Sequence, residues 1–142
     1  MTPAYYDSNY LFKLQIAETG SEEVRSHAST ISEIHSAFHA RAEFASASFR
    51  KVREGSASLH DFHRLVNQFK ADLLSSTIVL HPLTDTIIDH VEAVYASAPP
   101  TTYLRAADAI HLATAARHGF TTIYSNDKHL LRSAHLFGLT PL

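Results

Sequence analysis

The chain contains no cysteine, which excludes a disulfide framework, thiol catalysis and thiolate metal sites and agrees with a cytoplasmic location. No run of about 18 apolar residues is present, so no membrane span is expected. Met1 to Tyr10 lack a basic start and include Asp7, so no secretory leader is expected either. The four glycines, Gly20, Gly55, Gly119 and Gly138, are isolated, which leaves no glycine-rich phosphate loop. Positive charge is also in short supply. Twelve Lys and Arg face fourteen Asp and Glu, for a net charge of −2, so the surface as a whole is not built to grip nucleic acid. Any such contact must use a local patch or bound cations. Histidine is plentiful at eleven, but the residues are scattered from His27 to His135 and form no metal-binding tract.

What remains is a chain of 142 residues that is 45% hydrophobic and 18% charged. That composition excludes disorder and suits a single domain over residues 1–142. A chain of this size buries roughly 70% of its unfolded surface. Ala4-Tyr5-Tyr6, Thr77-Ile78-Val79-Leu80, Thr121-Thr122-Ile123-Tyr124 and Leu139 to Leu142 read as strands. Tyr10 to Leu14, Leu59 to Leu74, Asp85 to Tyr95, and the stretch from Asn126 to Ala134 read as helices. Thr102 is placed to cap a helix from Tyr103 to Arg117, ended by Gly119. Thr30-Ile31-Ser32-Glu33 has the form of a capping box and is taken to open a long helix with Ile34, Ala37, Phe38 and Ala45 near one face. Alternation of strands and helices argues for an α/β fold, a short central parallel sheet flanked by helices in three layers. Ligands of such sheets sit beyond the carboxyl ends of the strands.

Four acids fall where a site is expected. Asp7 follows the first strand, Glu33 lies in the first turn of the expected long helix, Asp108 is embedded among alanines, and Asp127 follows the strand ending at Tyr124. Each has a simpler reading: helix-terminal acids favoured by the dipole for Asp7 and Asp127, a cap for Glu33, a pairing with Arg105 for Asp108. Together they predict one acidic pole. Two carboxylates about 4 Å apart repel by roughly 4 kcal/mol at an effective dielectric of 20, so the cluster requires protons or cations. Mg²⁺ or Mn²⁺ suits oxygen ligands, and such ions support phosphodiester hydrolysis without a cysteine, serine or histidine nucleophile.

The motifs that carry these acids resemble those of PIN-domain ribonucleases. Tyr5-Tyr6-Asp7-Ser8-Asn9-Tyr10-Leu11-Phe12-Lys13-Leu14 resembles the family's opening, Leu104 to Ala116 its third-acid helix, Ser125-Asn126-Asp127-Lys128-His129-Leu130 its fourth-acid turn, and Phe137-Gly138-Leu139 its ending. The length suits the VapC-type toxins of toxin–antitoxin pairs. The resemblance implies a Mg²⁺- or Mn²⁺-dependent endoribonuclease acting on tRNA or ribosomal RNA, a cognate antitoxin and a homodimer. It assigns Asp7, Asp108, Asp127 and Glu33 as catalytic metal ligands and Ser125 as the hydroxyl that orients a carboxylate. Glu33 is preferred over Glu43, ten residues further along, because a first-turn carboxylate faces the strand ends.

Further side chains are candidates around this site. Arg105 lies beside it and is assigned to substrate phosphate, with Arg41, Arg50, Lys51 and Arg53 as additional candidate contacts. His35 and His39 are four apart on the expected helix but have no evident third ligand. His111, three residues after Asp108, is expected to be packed. Tyr10, Leu11 and Phe44 are expected as exposed anchors for an antitoxin helix. Two other functions remain open: an RNA-processing PIN nuclease without an antitoxin, and a PIN-like binding module that has lost catalysis.

Overall fold

The computed structural model describes residues 1–142. Its elements run β1 (Ala4–Tyr5), α1 (Ser8–Gln15), α2 (Ser21–Ala28), β2 (Ile34–Ala37), α3 (Ala40–Arg53), α4 (Leu59–Leu74), β3 (Ile78–His81), α5 (Asp85–Ser97), α6 (Ala106–Arg117), β4 (Thr122–Ile123), α7 (Lys128–Ser133), a 3₁₀ turn (Ala134–Phe137) and β5 (Thr140–Pro141). Strands β1, β2 and β3 pair in parallel with β2 in the middle, and β4 pairs in parallel with β5. A parallel bridge between Tyr6 and Tyr124 joins the two sheets. Tyr124 N donates to Tyr5 O at 3.0 Å and Asp7 N to Tyr124 O at 3.2 Å. The spatial order is therefore β3-β2-β1-β4-β5. The chain reverses its direction of winding between β1 and β4, the position at which open parallel sheets form ligand crevices.

Side chains alternate across β1, as the pleat requires. Ala4 and Tyr6 enter one core with Leu11, Phe12, Phe44, Leu65 and Phe69, whereas Tyr5 enters the other with Val91, Leu112, Ile123 and Leu130. The sheet thus separates two helical layers. The alanine-rich sequence of α6 explains its central place. Ala109, Ala113 and Ala115 are fully buried with Leu112, and their small side chains let neighbouring elements approach this helix closely.

The expected helix from Thr30 is not present. Ile34–Ala37 is instead the middle strand, with Ile34 opposite both Ala4 and Ile78. The Ser36 hydroxyl donates to Tyr6 O at 2.7 Å. The Thr30 hydroxyl donates to His27 O rather than capping a new helix. Apolar positions three apart, Ile34 and Ala37, fit a helix locally, but backbone pairing on both sides of β2 outweighs that preference. Helix α3 begins only at Ala40. Helix α6 also starts later than Thr102 suggests, with Arg105 at its N-cap.

Candidate active site

Asp7 leaves β1 and caps α1. Its Oδ1 accepts from Tyr10 N at 3.0 Å, which satisfies one free amide of the first turn. Its Oδ2 accepts from the Ser125 hydroxyl at 2.5 Å. Ser125 Oγ in turn accepts from Asp127 N at 2.9 Å, so one hydroxyl links the residues that follow β1 and β4. Asp127 caps α7, accepting from His129 N at 2.9 Å. Asp7 is only 4% exposed. Burial pushes its carboxyl up to about 6, against the lowering influence of His111, the Ser125 hydroxyl and Tyr10 N.

Asp108 lies in the first turn of α6 and is also buried. Burial raises its pKa, with Arg105 opposing and Asp127 adding to the rise. Arg105 spans the two acids. Its Nε donates to Asp108 Oδ2 at 3.1 Å and its Nη2 to Asp127 Oδ2 at 2.7 Å. The guanidinium is therefore an internal counterion of the acidic pair, a role that follows from its position as N-cap.

Glu33 does not join these acids. It precedes β2, and its backbone carbonyl accepts from Ala4 N at 3.0 Å. The strands are parallel, so Glu33 lies at the amino end of the sheet, while Asp7 follows a carboxyl end. Four residues of β2 separate the two ends by roughly 13 Å at about 3.3 Å per residue. The Glu33 side chain is half exposed and approaches only His35. Glu43, in the first turn of α3, occupies the expected place instead. Its Oε1 accepts from His111 Nε2 at 2.7 Å and lies 3.2 Å from His39 Nε2.

The two histidines are oriented by further bonds. Tyr5 Oη lies 2.9 Å from His111 Nδ1, and His39 Nε2 donates to Ala107 O at 3.0 Å. Burial pushes Glu43 up, but the hydrogen bond and charge of His111, together with His39, bring its pKa below the ordinary value. Burial and the neighbouring His111 lower that of His39. His111 is packed, at 1% exposed. Its contact with Glu43 had a sequence signal: three positions after Asp108 is the same face of a helix. His35 lies on β2, away from this group, and bonds His81 Nδ1-to-Nε2 at 2.8 Å.

A cleft of about 740 Å³ opens beside Glu43 and Arg105, with Arg50, Lys51 and Arg53 among its lining residues. The basic stretch of α3 thus borders the acidic pole. Of the anchors expected on the surface, Leu11 and Phe44 do not lie there, each 1% exposed and part of the core, whereas Tyr10 is half-buried. Asp7, Asp108, Asp127 and Glu43 bring the carboxylate chemistry of a hard divalent cation's ligands to this region, with Asp7 buried and without a cationic side chain bonded to it, while the group of three whose ligand atoms lie within 4.8 Å of one another is His39, Glu43 and His111. A carboxylate buried like Asp7 gains from a metal that keeps it ionised.

Three comparisons with known proteins bear on this geometry. No curated protein matches the sequence. Among solved structures, the chain is similar to one described as "Crystal Structure of FitAcB from Neisseria gonorrhoeae", with a TM-score of 0.67, 14% identity, and coverage of 98% of this chain and 96% of that one. At that identity the likeness establishes the fold, an α/β sandwich with a parallel sheet between helices. The PIN domain profile matches residues 4–136, nearly the whole chain and all the acids described above. PIN domains are typically metal-dependent nucleases. This chain belongs to the PIN domain family.

Proposed function

We propose that the chain is a Mg²⁺- or Mn²⁺-dependent endoribonuclease and the toxin of a toxin–antitoxin pair. What supports the nuclease reading is the linkage of Asp7 to Asp127 through Ser125 and of Asp127 to Asp108 through Arg105, beyond the strand ends, with the Glu43 charge acting on Asp7. Asp7, Glu43, Asp108 and Asp127 are the residues proposed to hold the ion. When bound, the ion supplies a water of lowered pKa and charge to offset that developing on the phosphate oxygens.

The chain's own residues do the rest. The Ser125 hydroxyl fixes the Asp7 carboxylate and the start of α7 relative to one another. Arg105, at the rim of the cleft, releases one carboxylate and contacts a substrate phosphate. Arg50, Lys51 and Arg53 hold the flanking backbone along α3. Local basic residues and a bound cation together offset a net charge of −2, as the composition requires.

The toxin reading rests on the resemblance to VapC-type toxins. Its test is expression in a bacterial host, alone and with the product of the adjacent small gene, followed by sequencing of RNA ends. Growth arrest with new cuts in tRNA or ribosomal RNA, relieved by coexpression, is the expected result. Harmless expression with cleavage of purified RNA would leave the RNA-processing role. Harmless expression with no cleavage would leave a binding module.

A further inference from the structure

We propose that His39, Glu43 and His111 form a mixed nitrogen–oxygen metal site that takes a borderline divalent transition ion, of the Co²⁺ or Zn²⁺ class, in preference to Mg²⁺. One ligand atom from each of the three lies within 4.8 Å of the others. They arrive from two elements and the turn before one of them. His39 precedes α3, Glu43 follows one turn into it, and His111 projects from α6.

The spacing suits a shared ion. Ligands about 2.0–2.2 Å from a metal stand roughly 3.0–3.5 Å apart in tetrahedral or octahedral geometry. Glu43 Oε1 lies 2.7 Å from His111 Nε2 and 3.2 Å from His39 Nε2, so small rotations open the seat. Imidazole nitrogen discriminates between ions, because Mg²⁺ prefers oxygen alone and the later transition ions accept nitrogen.

The surroundings of His111 are also those of a ligating histidine, whose second ring nitrogen is normally held by a hydrogen bond. Tyr5 Oη fills that role for His111 Nδ1 at 2.9 Å. A phenol accepts as readily as it donates, so the proton can reside on Nδ1 and leave the Nε2 lone pair to a metal. His39 Nε2 bonds Ala107 O at 3.0 Å and its buried Nδ1 has no hydrogen-bond partner, so ligation through Nε2 moves the ring proton to Nδ1 and gives up the Ala107 bond. The inference rests on the nuclease reading only through Glu43, which the two sites share.

The test uses the full chain stripped with chelator and titrated with Co²⁺, followed by d–d absorption, and with Mg²⁺, followed by calorimetry. Wild type should hold Co²⁺ more tightly than Mg²⁺, with a spectrum of nitrogen ligation. His39→Gln and the nearly isosteric Tyr5→Phe should each weaken Co²⁺ binding about tenfold or more, the usual effect of removing a ligand or its supporting bond, with Mg²⁺ affinity unchanged. Co²⁺ affinity and spectrum alike in wild type and His39→Gln would overturn the proposal and leave Glu43 as an ion-paired carboxylate. If RNA is cut in Mg²⁺ while the His39→Gln titration is unaltered, only this inference falls. A His39-dependent Co²⁺ site in a chain that cuts no RNA removes the nuclease reading and supports this one.

Discussion

The Arg105 guanidinium donates to the Asp127 carboxylate at 2.7 Å across 22 positions of sequence, while its Nε holds Asp108. A divalent ion approaching Asp108 and Asp127 meets a cation already engaged with both. Arg105→Gln should therefore raise Mn²⁺ affinity several-fold, as measured by calorimetry. The cost to the fold should be small, because Arg105 is half exposed and such pairs contribute about 1 kcal/mol or less. A fall in Mn²⁺ affinity would mean that Arg105 orients the carboxylates rather than competing for them.

Asp7 makes the stability of the metal-free chain depend on pH. Its folded pKa of about 6 exceeds the ordinary 3.8, so the native state binds its proton more tightly than the unfolded chain does. The destabilisation is absent below pH 3.8, grows between 3.8 and 6, and is complete above 6. A shift of about two pKa units corresponds to roughly 3 kcal/mol. Asp7→Asn should accordingly raise the melting temperature in chelator at pH 7 and gain much less at pH 4. Saturating Mg²⁺ should stabilise wild type and leave the variant unchanged. Equal gains at both pH values would mean that burial does not raise the Asp7 pKa.

The two glutamates separate cleanly by position. Glu43→Gln should lower RNA cleavage by at least about 100-fold, the scale of losing one group that stabilises transition-state charge. Glu33→Gln, at the amino end of β2, should leave the rate close to wild type. Initial rates on one RNA substrate, with circular dichroism to check the fold, decide the matter. The reverse order would mean that β2 and the turn after it are misplaced.

Much of this arrangement is legible in the amino-acid sequence. The span Leu59–Leu74 follows from its apolar stripe and is α4 in full. Asp7 and Asp127 stand out because each closely follows a strand, Asp108 because its charge is set among alanines, and Ser125 through the resemblance of its turn to the PIN motif. Glu43 is hidden for a definite reason. Thr30 and Glu33 satisfy a capping pattern, and Ile34 with Ala37 satisfies a helical one, whereas the strand at Ile34–Ala37 is dictated by partners more than 25 residues away in sequence on either side. Local pattern carries no trace of that pairing. The meeting of His39 with His111 depends on the packing of α6 against β2 and the turn that follows it and is equally nonlocal. Leu11 and Phe44 are buried for the same reason, since only the assembled α1, α3 and α4 cover them.

The central claim is that the carboxylates gathered beyond the strand ends perform metal-dependent RNA cleavage. The most direct measurement is cleavage of total cellular RNA by purified protein with and without Mg²⁺ or Mn²⁺, comparing wild type with Asp108→Asn. The account predicts discrete cuts by wild type, none in chelator, and at least about a 100-fold loss in the folded variant. Cleavage by Asp108→Asn at the wild-type rate, or by wild type in chelator, would contradict it.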